Sequence, residues 1–204
     1  MLTSRRRASK AGLTLVELMV TLAILGLLLA ATMPSINTWI RNTQIRGAAE
    51  ALQTGLSKAR NEAVRRNTRV FFSFVSDANA GSCTLSSSNA SWIVSLQSPE
   101  GQCNATASET TAPRIIERWA QGESSTSVTM TMKAADCTSA ASTTQAAFNG
   151  FGRLDTAAVA PLRCLVIDHA SGTGNRTLRL VLSPAGAVRM CDPAVTDATD
   201  PRKC

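Results

Sequence analysis

The residues of this 204-residue chain best suited to chemistry are few: one glutamate in an apolar run, six cysteines, one histidine beside an aspartate, and scattered arginines. Glu17 stands inside "GLTLVELMVTLAILGLLLAATMP", residues 12 to 34. A carboxylate near the centre of a membrane span costs roughly 2.5–3.5 kcal/mol on insertion scales, so this one needs a partner or a purpose. The cysteines are Cys83, Cys103, Cys137, Cys164, Cys191 and Cys204. None forms a CxxC pair and the only histidine is His169, so no zinc-type ligand cluster is present in the sequence. An even number of cysteines at wide spacing fits disulfides in an oxidising compartment. Fifteen connectivities are open to six cysteines. Sequence proximity alone favours Cys83–Cys103, Cys137–Cys164 and Cys191–Cys204, the last closing the polar tail "DPAVTDATDPRK"; the alternative is that several are free buried thiols. Asp168-His169 has the composition of an acid–base pair, but nothing marks a nucleophile elbow or a metal site beside it. "GTGN" lacks the Lys-Ser/Thr that a phosphate loop requires. The sequence therefore points to a non-enzymatic chain with no catalytic residues, no metal and no cofactor.

Charge narrows the partners. The net charge of +7 is inflated by Arg5, Arg6, Arg7 and Lys10; without them 17 basic residues face 14 acidic ones. A surplus of three is too small to argue nucleic-acid binding from global charge. Tyrosine is absent and aromatics make up 4%, so base-stacking platforms are not evident.

The elements that must position Glu17 begin with "MLTSRRRASKAG", residues 1–12, a short basic leader that the positive-inside rule keeps cytoplasmic. Leu13 to Met33 is 21 residues, which as a helix spans about 31 Å, the thickness of a bilayer core. A cleaved secretory signal would explain the basic start and "LAA" at 29–31, but its apolar run is too long and Glu17 is out of place. A plain anchor explains the length and leaves the glutamate unexplained. "GLTLVE", residues 12–17, closely resembles the prepilin processing motif of type IV pilins and pseudopilins. That resemblance implies cleavage by the prepilin peptidase between Gly12 and Leu13 and N-methylation of Leu13. Leucine stands where phenylalanine is usual. It also gives Glu17 a role: the new amine of one packed subunit neutralises the carboxylate of a neighbour. A buried charge is tolerable when paired and strongly destabilising when its partner is missing, so the residue sets assembly register.

Pro34 interrupts the run, and the same resemblance implies a helix that bends there and continues. Ile36, Ile40, Ala48, Ala49, Leu52, Leu56, Ala59, Ala63 and Val64 recur at helical spacing, which predicts an amphipathic continuation over 34–68 lying against a sheet. Arg60, Arg65, Arg66 and Arg69 cluster at its end, favourable to a helix C-terminus or, alternatively, a phosphate-binding patch. Residues 69–204 read as a disulfide-bearing β-rich head. Strands are predicted over 69–76, 91–97, 114–119, 127–132, 163–169, 176–183 and 186–191, with loops over 77–90, 101–112 and 134–146. The expected class is α+β, a type IV pilin-like long N-terminal helix, transmembrane then amphipathic, packed on an antiparallel sheet.

"AFNGFGRL" (147–154) and "RTLRLVLSPAGAVRMCDP" (176–193) resemble the end of the GspH/FimT group of minor pilins and pseudopilins. This implies a subunit of a type IV pilus or of the type II secretion pseudopilus, held in the bacterial inner membrane by one span with a periplasmic head. The implied partners are other pilins, the prepilin peptidase and the inner-membrane assembly platform. Some FimT-like proteins resemble DNA receptors bearing Gly-Arg-x-Arg in the C-terminal loop. Here the matching residues are Gly186, Ala187, Val188 and Arg189, so the first arginine is missing; Arg189, Arg179 and Arg176 are the remaining candidate DNA contacts.

Overall fold

The structure, a computed structural model, describes residue 12 and residues 14–87, 90–122, 127–171 and 174–204; over 30–34 it describes the backbone alone. One helix, α1 (Leu15–Arg66), is followed by eight strands: β1 (Val70–Phe74), β2 (Trp92–Ser95), β3 (Ile115–Trp119), β4 (Val128–Lys133), β5 (Gln145–Phe148), β6 (Cys164–His169), β7 (Leu178–Leu182) and β8 (Val188–Cys191). The chain forms two compact units, one ending at Trp39 and the other running Ile40–Cys204.

In the second unit, α1 buries Ile45, Ala48, Ala49, Leu52, Leu56, Ala59 and Ala63. Their spacing of three and four makes one stripe along the helix. The stripe differs from the predicted one at its ends: Ile36, Ile40 and Val64 stay exposed and Ile45 is buried instead. Four of its seven members are alanine, which lets the helix come close to the strands. Gly55 takes this furthest, because a Cβ there would lie 2.7 Å from the Trp92 ring and 2.8 Å from that of Phe72. The helix ends in a hydrogen-bonded cap. Asn67 takes a left-handed φ of 46°, its N–H donates to the Val64 carbonyl (3.2 Å), and the Thr68 N–H reaches back to that of Ala63 (3.2 Å).

The strands form two antiparallel four-stranded sheets, ordered β3-β2-β1-β5 and β4-β6-β7-β8, where the sequence suggested one. The added strand is β5, which pairs with β1 from Val70↔Phe148 to Ser73↔Gln145. Its "QAAF" has no β-branched residue, so propensity does not announce it. Both sheets turn an apolar face to one core. Val70, Phe72, Phe74, Trp92, Val94, Ala146 and Phe148 come from the first, and Val128, Met130, Met132, Leu165, Ile167, Leu180 and Leu182 from the second. A smaller cluster of Val75, Ala78, Ile93 and Ile115 lies on the other side of the first sheet with the Cys83–Cys103 disulfide.

The other two disulfides join Cys137 to Cys164 and Cys191 to Cys204. The register places Cys164 and Cys191 on the side of the second sheet away from the core, yet both are fully buried. Loops close over them. Each edge repeats the same device: Lys133 Nζ donates to the Thr138 carbonyl (3.1 Å) beside Cys137, and Arg189 to the Lys203 carbonyl (3.0 Å) beside Cys204.

Candidate functional sites

The first site is the start of α1. Thr14 is its N-cap: the hydroxyl accepts the Glu17 N–H (3.2 Å) and the carbonyl accepts that of Leu18 (3.1 Å). Thr14 and Glu17 thus have the spacing of a capping box, with the carboxylate in the first turn, where the unpaired N–H groups favour negative charge. Glu17 makes no ion pair among the described residues. Around it the helix is apolar on every side: Leu15, Val16, Leu18, Met19, Val20, Leu22, Ile24, Leu25, Leu27, Leu28 and Leu29 are each more than half exposed. A helix hydrophobic on every face belongs inside something, a membrane or a bundle of its own kind. Among the described residues no helix is long and apolar enough to cross a membrane. The span expected over 13–33 includes Leu13, which lies outside the described residues, as does the leader up to Ala11. Gly12 is described, and a Cβ built on it would meet nothing within 4 Å.

The second site is the junction where the two C-terminal stretches singled out in the sequence meet α1. Asn149 organises the loop between β5 and Leu154. Its Oδ1 accepts the N–H groups of Phe151 (3.0 Å) and Arg153 (3.1 Å), and its carbonyl that of Gly152 (2.8 Å). Gly152 has φ 72°, and its carbonyl receives Arg60 Nε at 3.0 Å. Opposite lies the β7–β8 turn, "SPAGA", closed by the Ser183 N–H on the Ala187 carbonyl and the Gly186 N–H on that of Ser183, both 2.9 Å. Gly186 has φ 80°, and a Cβ on it would run into the Gly152 carbonyl oxygen. Glycine is therefore required twice over there, for its dihedral and for the space.

The arginines of the end of α1 are mostly neutralised. Arg65 and Arg66 bond Glu62, Arg66 also reaches Glu109, and Arg69 pairs with Asp155 at 2.7 Å. The Arg65 and Arg66 guanidiniums hold the Glu62 carboxyl below its ordinary range against its partial burial, and Arg69 does the same for Asp155. This is the pattern of a charge-satisfied helix end rather than an open phosphate patch.

Two of the three candidate DNA contacts, Arg189 and Arg176, are engaged within the head, whereas the Nε of Arg179 is buried without a hydrogen-bond partner among the described residues. Arg189 holds the Lys203 carbonyl. Arg176 is ion-paired with the buried Asp192, and its N–H donates to Asn42 Oδ1 (2.8 Å). Arg176 precedes β7, so strand alternation does not set its direction. Arg179 and Arg189 share the outer side of the second sheet, diagonally across β7 and β8. Asp168 and His169 do not form a relay. Asp168 accepts the Thr177 hydroxyl (3.1 Å), while His169 Nδ1 accepts the Ser171 N–H (3.2 Å).

An α+β protein with a long N-terminal helix laid on antiparallel sheets is the class these observations define. Within that class the chain belongs to the GspH family: residues 48–186 match the family described as Type II transport protein GspH, and residues 7–33 match the prokaryotic N-terminal methylation motif. Similar solved structures are two crystal forms of the type IV minor pilin FimU of Pseudomonas aeruginosa strain PAO1. One has 16% identity and a TM-score of 0.49, covering 76% of this chain and 94% of that one. The other has 15% identity and a TM-score of 0.46, covering 75% and 97%. No curated protein matches the chain.

Proposed function

We propose that this chain is a minor pilin of a type IV pilus, a non-enzymatic structural subunit that primes or caps the filament. It enters the bacterial inner membrane through residues 13–33, is cut after Gly12, is methylated on Leu13, and carries a periplasmic head. Its partners are the prepilin peptidase, the inner-membrane assembly platform and other pilins, met through the N-terminal helix. The observation that carries this reading is the capped, all-round apolar helix start with Glu17, which has no ion pair among the described residues, in its first turn, inside a matched N-terminal methylation motif. Cleavage creates an amine next to that helix start. In a bundle of such helices, a neighbour's amine and Glu17 satisfy each other, and a slipped register leaves both charges buried alone.

Glu17→Ala is the direct test. Removing the charge leaves membrane insertion intact or eases it. Incorporation into sheared filaments falls, because the packed amine loses its partner. Wild-type incorporation of the variant would refute the registration role.

The family's description as a type II transport protein favours a second reading: a minor pseudopilin of the type II secretion system. Deletion separates the two. Loss of surface pili with normal export of secreted enzymes fits the pilus, and the reverse fits the pseudopilus. A third reading, DNA capture, finds little support in a C-terminal loop without its first arginine and with Arg189 and Arg176 already bonded.

A further inference from the structure

The three disulfides differ in access. Cys83 and Cys103 are both buried, and so is Cys164, whose partner Cys137 is half-buried. In the third, Cys191 is buried but Cys204 is exposed. Thiol–disulfide exchange needs one sulfur that an attacking thiolate can reach and a leaving sulfur that is stable as a thiolate. Cys204 meets the first need and Arg179 serves the second. Arg179 stands directly opposite Cys191 across β7 and β8, where facing Cβ atoms lie about 5 Å apart. Its Nε is buried without a hydrogen-bond partner among the described residues. The nearby carboxylates are committed elsewhere: Asp168, diagonal to it on β6, accepts the Thr177 hydroxyl, and Asp192, next to Cys191, is paired with Arg176. A guanidinium so placed favours an anion beside it. The Cys191 thiolate is that anion, and it forms only when the disulfide opens.

The same bond latches the C-terminal segment. Flanking it, the Asp192 N–H donates to the Arg202 carbonyl (2.7 Å) and Arg189 to that of Lys203 (3.0 Å). Asp192, at the base of this closed segment, is 2% exposed and ion-paired with Arg176. The Arg176 N–H in turn donates to Asn42 Oδ1 (2.8 Å), on α1 just before the buried stripe begins at Ile45.

We propose that Cys191–Cys204 is an exchangeable disulfide, opened by a thioredoxin-type dithiol, and that opening it unlatches the C-terminal segment from α1. A thiolate of the dithiol attacks Cys204 Sγ. The Sγ–Sγ bond breaks and its electron pair leaves on Cys191 Sγ, beside Arg179. The second thiolate of the reductant then displaces Cys204 from the mixed disulfide. The reductant ends as a disulfide and the chain gains two thiols, whose protons are those the dithiol gave up. The inference stands independently of the filament-subunit reading.

The experiment treats the folded, detergent-solubilised full-length chain with dithiothreitol, quenches samples by alkylation, and follows the three disulfides separately by peptide mapping. Cys191–Cys204 should open about tenfold or more faster than either other bond, since those wait on local unfolding. Arg179→Met should slow its opening about threefold or more, because the leaving thiolate loses its partner, and Arg179→Lys should keep most of the rate. A purely structural role for Arg179 predicts the opposite, a faster opening of the loosened variant. If Arg179→Met opens all three bonds together, that variant is unfolded, and the wild-type order and Arg179→Lys decide. Hydrogen exchange read on the peptide carrying Arg176 should quicken once Cys191–Cys204 is reduced. Opening of all three wild-type bonds at one rate, prior opening of another, or an Arg179→Met rate equal to or above wild type in a folded chain overturns the exchangeable site. Selective reduction with unchanged exchange at Arg176 overturns the latch.

Discussion

Replacing Gly186 by alanine tests the junction that joins the C-terminal turn to α1 and the Phe151 loop. Three effects add. A non-glycine residue at φ 80° carries backbone strain of about 1–3 kcal/mol. The new Cβ meets the Gly152 carbonyl, a backbone atom that side-chain rotation cannot remove, at about 1–3 kcal/mol of overpacking. Relief by moving Gly152 weakens its bond from Arg60, a charge-assisted contact worth about 1.5 kcal/mol at the low end because it is only partly buried. The sum is about 3.5–7.5 kcal/mol. Gly101→Ala is the control, since Gly101 has φ 73° and nothing within 4 Å of a built Cβ; it keeps the strain and lacks the collision. The assay is urea unfolding of the detergent-solubilised full chain with disulfides intact, followed by the fluorescence of Trp92 and Trp119 in the head. The difference between the two variants is about 2.5–4.5 kcal/mol, which at a slope of about 2 kcal/mol per molar urea separates their midpoints by about 1–2 M. Coincident midpoints would show that the two loops do not bear on each other and that the Gly152–Gly186 contact carries no load.

Gly55→Ala should destabilise the head by about 1–3 kcal/mol in the same assay, because the Cβ meets two packed aromatic rings. The pH dependence of the Arg69–Asp155 pair has a definite sign. The pair holds the folded Asp155 pKa below its unfolded value, so its stabilisation is present above about pH 4 and is lost as the pH falls further. Asp155→Asn should therefore lower the urea midpoint at pH 7, and the gap to wild type should close under acid. In gel-shift titrations the chain should bind DNA weakly at physiological salt. Ala187→Arg should strengthen binding and steepen the salt dependence by about one unit; tight wild-type binding lost in Arg189→Ala would make DNA uptake the leading function.

Local signals were legible in the sequence. The alanine-rich stripe from Ala48 to Ala63 and the strands with aromatic or β-branched runs are written in residues close along the chain. The division into two sheets was not. It depends on β5 crossing back to β1 after β4 has joined the other sheet, and "QAAF" advertises neither its strand nor its partner. Ile36, Ile40 and Val64 stay exposed and Ile45 is buried against expectation because spacing alone does not say where a stripe begins and ends. Of the sites, "GLTLVE" could be read because glycine, an apolar run and a glutamate are informative in fixed order. The capping box from Thr14 to Glu17 is written in the same short spacing. The Gly152–Gly186–Arg60 junction was out of reach: its three residues come from distant parts of the chain, and only their meeting gives the glycines their meaning.

The most direct test of the filament-subunit reading is the intact mass of the mature protein, purified from a host that has the prepilin peptidase. Cleavage between Gly12 and Leu13 with methylation of the new amine gives a chain beginning at Leu13, lighter by residues 1–12 and heavier by one methyl group. A mature start near Thr32, as ordinary signal peptidase would leave, or an uncleaved leader in such a host, would contradict it.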